Sequence, residues 1–96
     1  MKTLHLVLKH KWYDLIDCGA KTSEYRACTP YWNRRLYFGG GVLTPRECPV
    51  YDQVIFHRGY TNKTMTFKIK YIDVTTEPND LGLDECWEIK LGKRLA

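Results

Sequence analysis

The chain is poor in the features that usually assign a function quickly. None of its apolar runs approaches the roughly 20 residues that span a bilayer, so no membrane partner is expected. The opening residues, MKTLHLVLKHKW, carry neither an apolar core of about 7–15 residues nor a small-residue cleavage site. No secretory signal peptide is therefore expected, and the expected location is the cytoplasm. There is no C-x-x-C pair among Cys18, Cys28, Cys48 and Cys86, and no histidine lies at ligand spacing from another ligand. A structural zinc site needs such spacing, so no metal is expected and the thiols read as reduced and unpaired. P-loop, G-x-G-x-x-G and Ser–His–Asp patterns are also missing, which leaves no cofactor to expect. With no internal repeat, low-complexity tract or linker, residues 1–96 read as one domain.

What is present is an aromatic, mildly basic domain. Three Trp, seven Tyr and three Phe make up 14% of the chain, within a hydrophobic share of 44%. That content can build one core, and at a surface the same rings stack on planar ligands. The 15 Lys and Arg exceed the 11 Asp and Glu by four, an excess that favours an anionic partner such as nucleic acid.

The pattern of elements is mixed. Leu4, Leu6 and Leu8 alternate with polar neighbours and predict a strand. Trp12, Leu15 and Ile16 follow at i, i+3 and i+4, the inward face of a short helix that Gly19 would stop in a left-handed conformation. SEYRAC reads as a strand, and Pro30 can open a second helix over TPYWNRRLY with Thr29 as its cap. In that helix Trp32, Leu36 and Tyr31 would face inward and Arg34 and Arg35 outward. Three glycines and two prolines make the segment from Gly39 to Pro49 the expected mobile loop. Three strands follow: DQVIFHR, TMTFKIKYIDV with Met65, Phe67, Ile69 and Tyr71 on one face, and CWEIKLGKR with Trp87, Ile89 and Leu91 inward. The expected fold class is α+β, a partly closed β-barrel of about five to six strands with two short helices near the N-terminal half. Closure is preferred because an open sheet of this size would leave its edges unprotected.

The candidate chemistry lies in GAKTSEYR, Gly19 to Arg26. Side chains alternate along an extended segment, so Glu24 and Arg26 share a face, and Lys21 can lean over it from the preceding turn. A carboxylate between two cations stays ionised and fixes their positions. Such a cluster holds a phosphate or the polar edge of a base. The competing reading is a salt-bridge network that braces a strand and does nothing else. Tyr31 and Trp32 supply a possible stacking platform for a base, although Trp32 also suits the core face of its helix. Lys68, Lys70 and Lys90 form a candidate basic stripe, and His57, Arg58 and Tyr60 a weaker catalytic grouping.

These residues carry a resemblance. From Leu4 to about Tyr60 the chain is similar to ASCH-domain proteins of the PUA-like superfamily, in particular to the small phage and bacterial members. Their pattern of strand, helix and G-x-K-x-x-E-x-R is met at Gly19, Lys21, Glu24 and Arg26, and P-Y-W and YDQVIFHRGY also resemble them. The resemblance implies a PUA-like barrel with a cleft beside the motif that binds RNA or a nucleotide. It also implies an alternative, since some relatives are nucleic-acid-modifying enzymes. One group consists of amidohydrolases of N4-acetylcytidine, which use a lysine, a threonine three residues later and a glutamate. Lys21 matches that lysine, but Glu24 stands where the threonine would be, and a carboxylate does not replace that hydroxyl. Others are ribonucleases. The candidate catalytic residues are thus Lys21 and Glu24, and the candidate nucleic-acid-binding set is Lys21, Glu24, Arg26, Tyr31 and Trp32. A monomer is the expected form.

Overall fold

A computed structural model describes residues 2–36 and 51–96. The loop expected from Gly39 to Pro49, and Cys48 with it, lies outside the described residues. Within them the chain order is β1 (Thr3–Leu8), α1 (His10–Asp17), β2 (Ser23–Ala27), α2 (Pro30–Leu36), β3 (Gln53–Arg58), β4 (Thr64–Thr75) and β5 (Cys86–Arg94). The strands form one curled sheet in the order β1-β3-β4-β5-β2, an α+β half-barrel. β1 runs parallel to β3, and every other pairing is antiparallel.

The period-two pattern places the core. Leu4, Leu6 and Leu8 of β1 are buried, as are Val54 and Phe56 of β3 and Trp87, Ile89 and Leu91 of β5. Two expectations need correction. In α1 the side chains that enter the core are Tyr13 and Ile16, whereas Trp12 and Leu15 are only partly covered. The helix is short and is gripped from its flanks, by Arg58, which donates two hydrogen bonds to Asp14 at 2.9 and 3.0 Å, and by Arg94, which donates to Asp17 at 2.7 Å. The face that packs inward is that of Tyr13 and Ile16, three residues apart, which leaves Trp12 and Leu15 at its edges. In β4 the alternation from Met65 to Tyr71 does not persist. Register shifts against β5 between Phe67 and Ile69 and between Ile69 and Tyr71 invert the faces, so Ile72 is fully buried and Tyr71 is not. A β-bulge adds a residue on one strand only and so reverses the side-chain parity beyond it.

The ends of both helices follow their sequence signals. Thr29 Oγ1 accepts from the Trp32 amide at 3.3 Å, a cap for the first turn of α2. Cys18 ends α1, and Gly19 beyond it has φ +84°, the left-handed conformation that L side chains resist. No heavy atom lies within 4 Å of where a Cβ on Gly19 would sit. The cost of Gly19→Ala is therefore backbone strain alone, about 1–2 kcal/mol, and urea denaturation should read it as a lower midpoint with an unchanged m-value.

Candidate functional site

The two end strands of the sheet, β1 and β2, face one another across the open side of the half-barrel. Between them lies a cleft of about 310 Å³ lined by Val7, Leu8, Lys9 and Trp12 on one side and Glu24, Tyr25 and Arg26 on the other, with Asp80 and Leu81 of the β4–β5 connection. Each wall has a reason to be where it is. The α1 terminus fixes the approach to β2, because the Lys21 amide donates to the Leu15 carbonyl at 3.0 Å and the Gly19 amide to Ile16 at 3.1 Å. β2 is then held by β5, with Glu24 opposite Ile89 and Arg26 opposite Trp87. That register puts Glu24 and Arg26 on the core side of the sheet, as the alternation along β2 requires.

Lys21, Glu24 and Arg26 do converge. Glu24 is only 6% exposed. Its Oε2 accepts from the Arg26 guanidinium at 2.8 Å, and its Oε1 lies 3.3 Å from Lys21 Nζ. Lys21 also pairs with the carboxylate of Asp80. The lysine is enclosed further by aromatic rings, with Nζ 5.0 Å from the centroid of Trp12 and 5.0 Å from that of Tyr25. Burial is the main influence on its titration and pulls the Lys21 pKa below the ordinary 10.5; attraction to Glu24 and the hydrogen bond to it work the other way. The Nε of Arg26 is buried and has no hydrogen-bond partner among the described residues, so the guanidinium is held through its NH2 bond to Glu24.

The aromatic residues sort differently from the sequence reading. Trp32 packs against the core and backs Arg26, whose guanidinium carbon is 5.1 Å from its ring centroid. Arg35 sits 5.7 Å from the same ring, and exposed Tyr31 meets it edge-on at 4.9 Å. The aromatic rings on the cleft wall are Trp12 and Tyr25. The helical spacing of Trp12 points to the core rather than to a cleft, and Tyr25 has no sequence signal beyond its place between the two charged residues of the motif. Asp80 was also missed, because no local signal in TTEPNDLGLDE ties it to Lys21. The connection is organised by Asn79, whose Oδ1 accepts from the Leu81 and Leu83 amides at 3.0 and 3.3 Å.

The opposite face of β2 carries a second polar group. Ser23, 4% exposed, donates to Glu88 Oε2 at 2.7 Å, and the Tyr71 hydroxyl donates to Glu88 Oε1 at 3.1 Å. Lys90 donates to Thr22 at 3.0 Å. Lys21 and Tyr25 border this side as well, on a recess of about 330 Å³. His57, Arg58 and Tyr60 do not act together: His57 meets His5, Arg58 holds Asp14, and Tyr60 is 99% exposed. Cys18, Cys28 and Cys86 are free thiols. No helix among the described residues is long and apolar enough to cross a membrane. Comparison with known proteins found no matching family model, no matching curated protein and no matching solved structure.

Proposed function

We propose that the cleft between β1 and β2 binds RNA or a nucleotide, as a small ASCH-like module of the cytoplasm. The observation that carries this reading is the Lys21 ammonium, 9% exposed and held by Glu24 and two aromatic rings on the wall of a cleft. A brace on a surface strand does not need that enclosure. The volume is at the lower end of ligand sites, which run from about 300 to 1,000 Å³, and suits one nucleoside rather than a duplex. In this reading Lys21 and Arg26 donate to phosphate or to the acceptor edge of a base, and Glu24 fixes both cations. Trp12 takes over the stacking role considered for Tyr31 and Trp32, which support Arg26 from behind.

An NMR titration with the four nucleoside monophosphates and a short single-stranded RNA tests this. Shifts should concentrate at Trp12, Lys21, Tyr25 and Arg26, and Lys21→Ala should weaken binding about tenfold or more. For two phosphates neutralised on a single strand, the slope of log K against log salt should be near −1.4. Shifts spread evenly over the surface, with affinity unchanged in Lys21→Ala, would remove the cleft from consideration.

A second reading, hydrolysis of RNA or of an acylated nucleoside, is favoured by the lowered pKa of Lys21. A lysine beside a carboxylate on a cleft wall, with its proton held less tightly than usual by burial, is the natural candidate for a general acid or base. Glu24 is the other candidate, as a base. Incubation with RNA and with acylated cytidine decides between the readings. Product formed by the native protein and not by Lys21→Ala establishes an enzyme, and binding without product establishes a module.

A further inference from the structure

Away from the cleft, on the outer face of the sheet, two histidines meet across the parallel pair β1 and β3. His5 stands opposite Ile55 and His57 opposite Val7, so the two are diagonal neighbours on the face turned away from Leu4, Leu6, Val54 and Phe56. Their rings lie 5.4 Å apart at a 33° angle, and Nδ1 of His5 is 3.2 Å from Nε2 of His57. We infer that His5 and His57 form a two-imidazole site for a divalent transition-metal ion of the copper, nickel or zinc type.

The argument is geometric. Two nitrogens bound to one such ion at about 2.0–2.1 Å, subtending about 90–110°, are about 2.9–3.4 Å apart. The separation of 3.2 Å falls inside that range without movement of either strand. In the hydrogen-bonded pair one of the two facing nitrogens carries a proton. Moving that proton to the other nitrogen of the same neutral ring frees both lone pairs, so the pair becomes a chelate with no net proton release. The backbone does the preorganising, because both residues belong to paired strands with a fixed register. His5 is exposed and His57 half-buried, so water can reach the pair from the His5 side and complete the coordination shell. Nearby positions on this face, Thr3, Gln53 and Thr66, offer no carboxylate, and imidazole alone prefers copper, nickel and zinc to calcium or magnesium. Copper(II) should bind most tightly of the three, in line with the general affinity order.

The test is a titration of the whole chain with Cu²⁺, followed by calorimetry and electron paramagnetic resonance, alongside His5→Ala and His57→Ala. Both positions are on the surface, and circular dichroism checks that each variant keeps the fold. The expected result is one equivalent bound with two nitrogen donors of imidazole type, and at least a tenfold loss of affinity in each single variant. Unchanged affinity in either variant, or a spectrum showing thiolate or terminal-amine ligation as the tight site, would overturn the proposal.

Discussion

Glu24→Ala is expected to destabilise the protein by about 3–5 kcal/mol, the range for removing one member of a buried charge cluster. Glu24 is 6% exposed and contacts both cations, Arg26 at 2.8 Å and Lys21 at 3.3 Å. Without it, Lys21 keeps Asp80 as its one carboxylate partner among the described residues, and Arg26 loses the oxygen its guanidinium donates to. Glu24→Gln retains size and hydrogen bonding but removes the charge opposite Arg26 and leaves Lys21 with Asp80, at a smaller cost of about 1–3 kcal/mol. Denaturant midpoints of the two variants should therefore rank native, Gln, Ala. Binding provides a second readout. In Glu24→Gln the cleft becomes more positive, so attraction to any polyanion should rise while discrimination among nucleotides falls. If Glu24 were an exposed brace, both variants would stay within about 1 kcal/mol of the native protein, with selectivity unaltered.

Trp87→Ala should have an effect of similar size, about 3–5 kcal/mol, from lost apolar burial and the cavity left behind. Trp87 is 3% exposed in the core beneath β2, and its Nε1 donates to Asn33 of α2 at 2.8 Å. It is thus one link, beside buried Leu36, between the sheet and the helix that carries Trp32 against Arg26. Loosening that link should weaken ligand binding as well, although Trp87 does not line the cleft. Trp87→Phe separates the two roles. The ring and most of its packing remain, only the bond to the exposed Asn33 is lost, and the cost should fall to about 1 kcal/mol. A loss of stability in Trp87→Phe equal to that in Trp87→Ala would mean that the hydrogen bond, rather than packing, ties α2 down.

The pH dependence of Lys21 has a definite sign. Its folded pKa lies below the ordinary 10.5 because burial disfavours the ammonium. Between the lowered value and 10.5 the unfolded chain binds more protons than the folded one, so this group adds stability as pH rises through that window. A Lys21→Met variant should lack that part of the alkaline profile.

Local sequence was sufficient wherever a short-range rule decides the outcome. The alternation of Leu4, Leu6 and Leu8, the left-handed Gly19, the Thr29 cap and the shared face of Glu24 and Arg26 all depend on the backbone within a few residues. The charged cluster was legible for the same reason: a strand period of two and one preceding turn bring Lys21, Glu24 and Arg26 together. Tertiary structure decided everything that depends on distant segments. The bulges in β4 arise against β5 and moved Ile72 inward in place of Tyr71. The core takes Tyr13 and Ile16 from α1, and this leaves Trp12 on the cleft wall. Asp80 reaches Lys21 only because the β4–β5 connection returns to the seam. The cleft itself exists because β1 and β2, joined in sequence by α1, end up as opposite edges of one sheet. The chemistry of the motif is local, but the enclosure that makes it a site comes from the order of the strands.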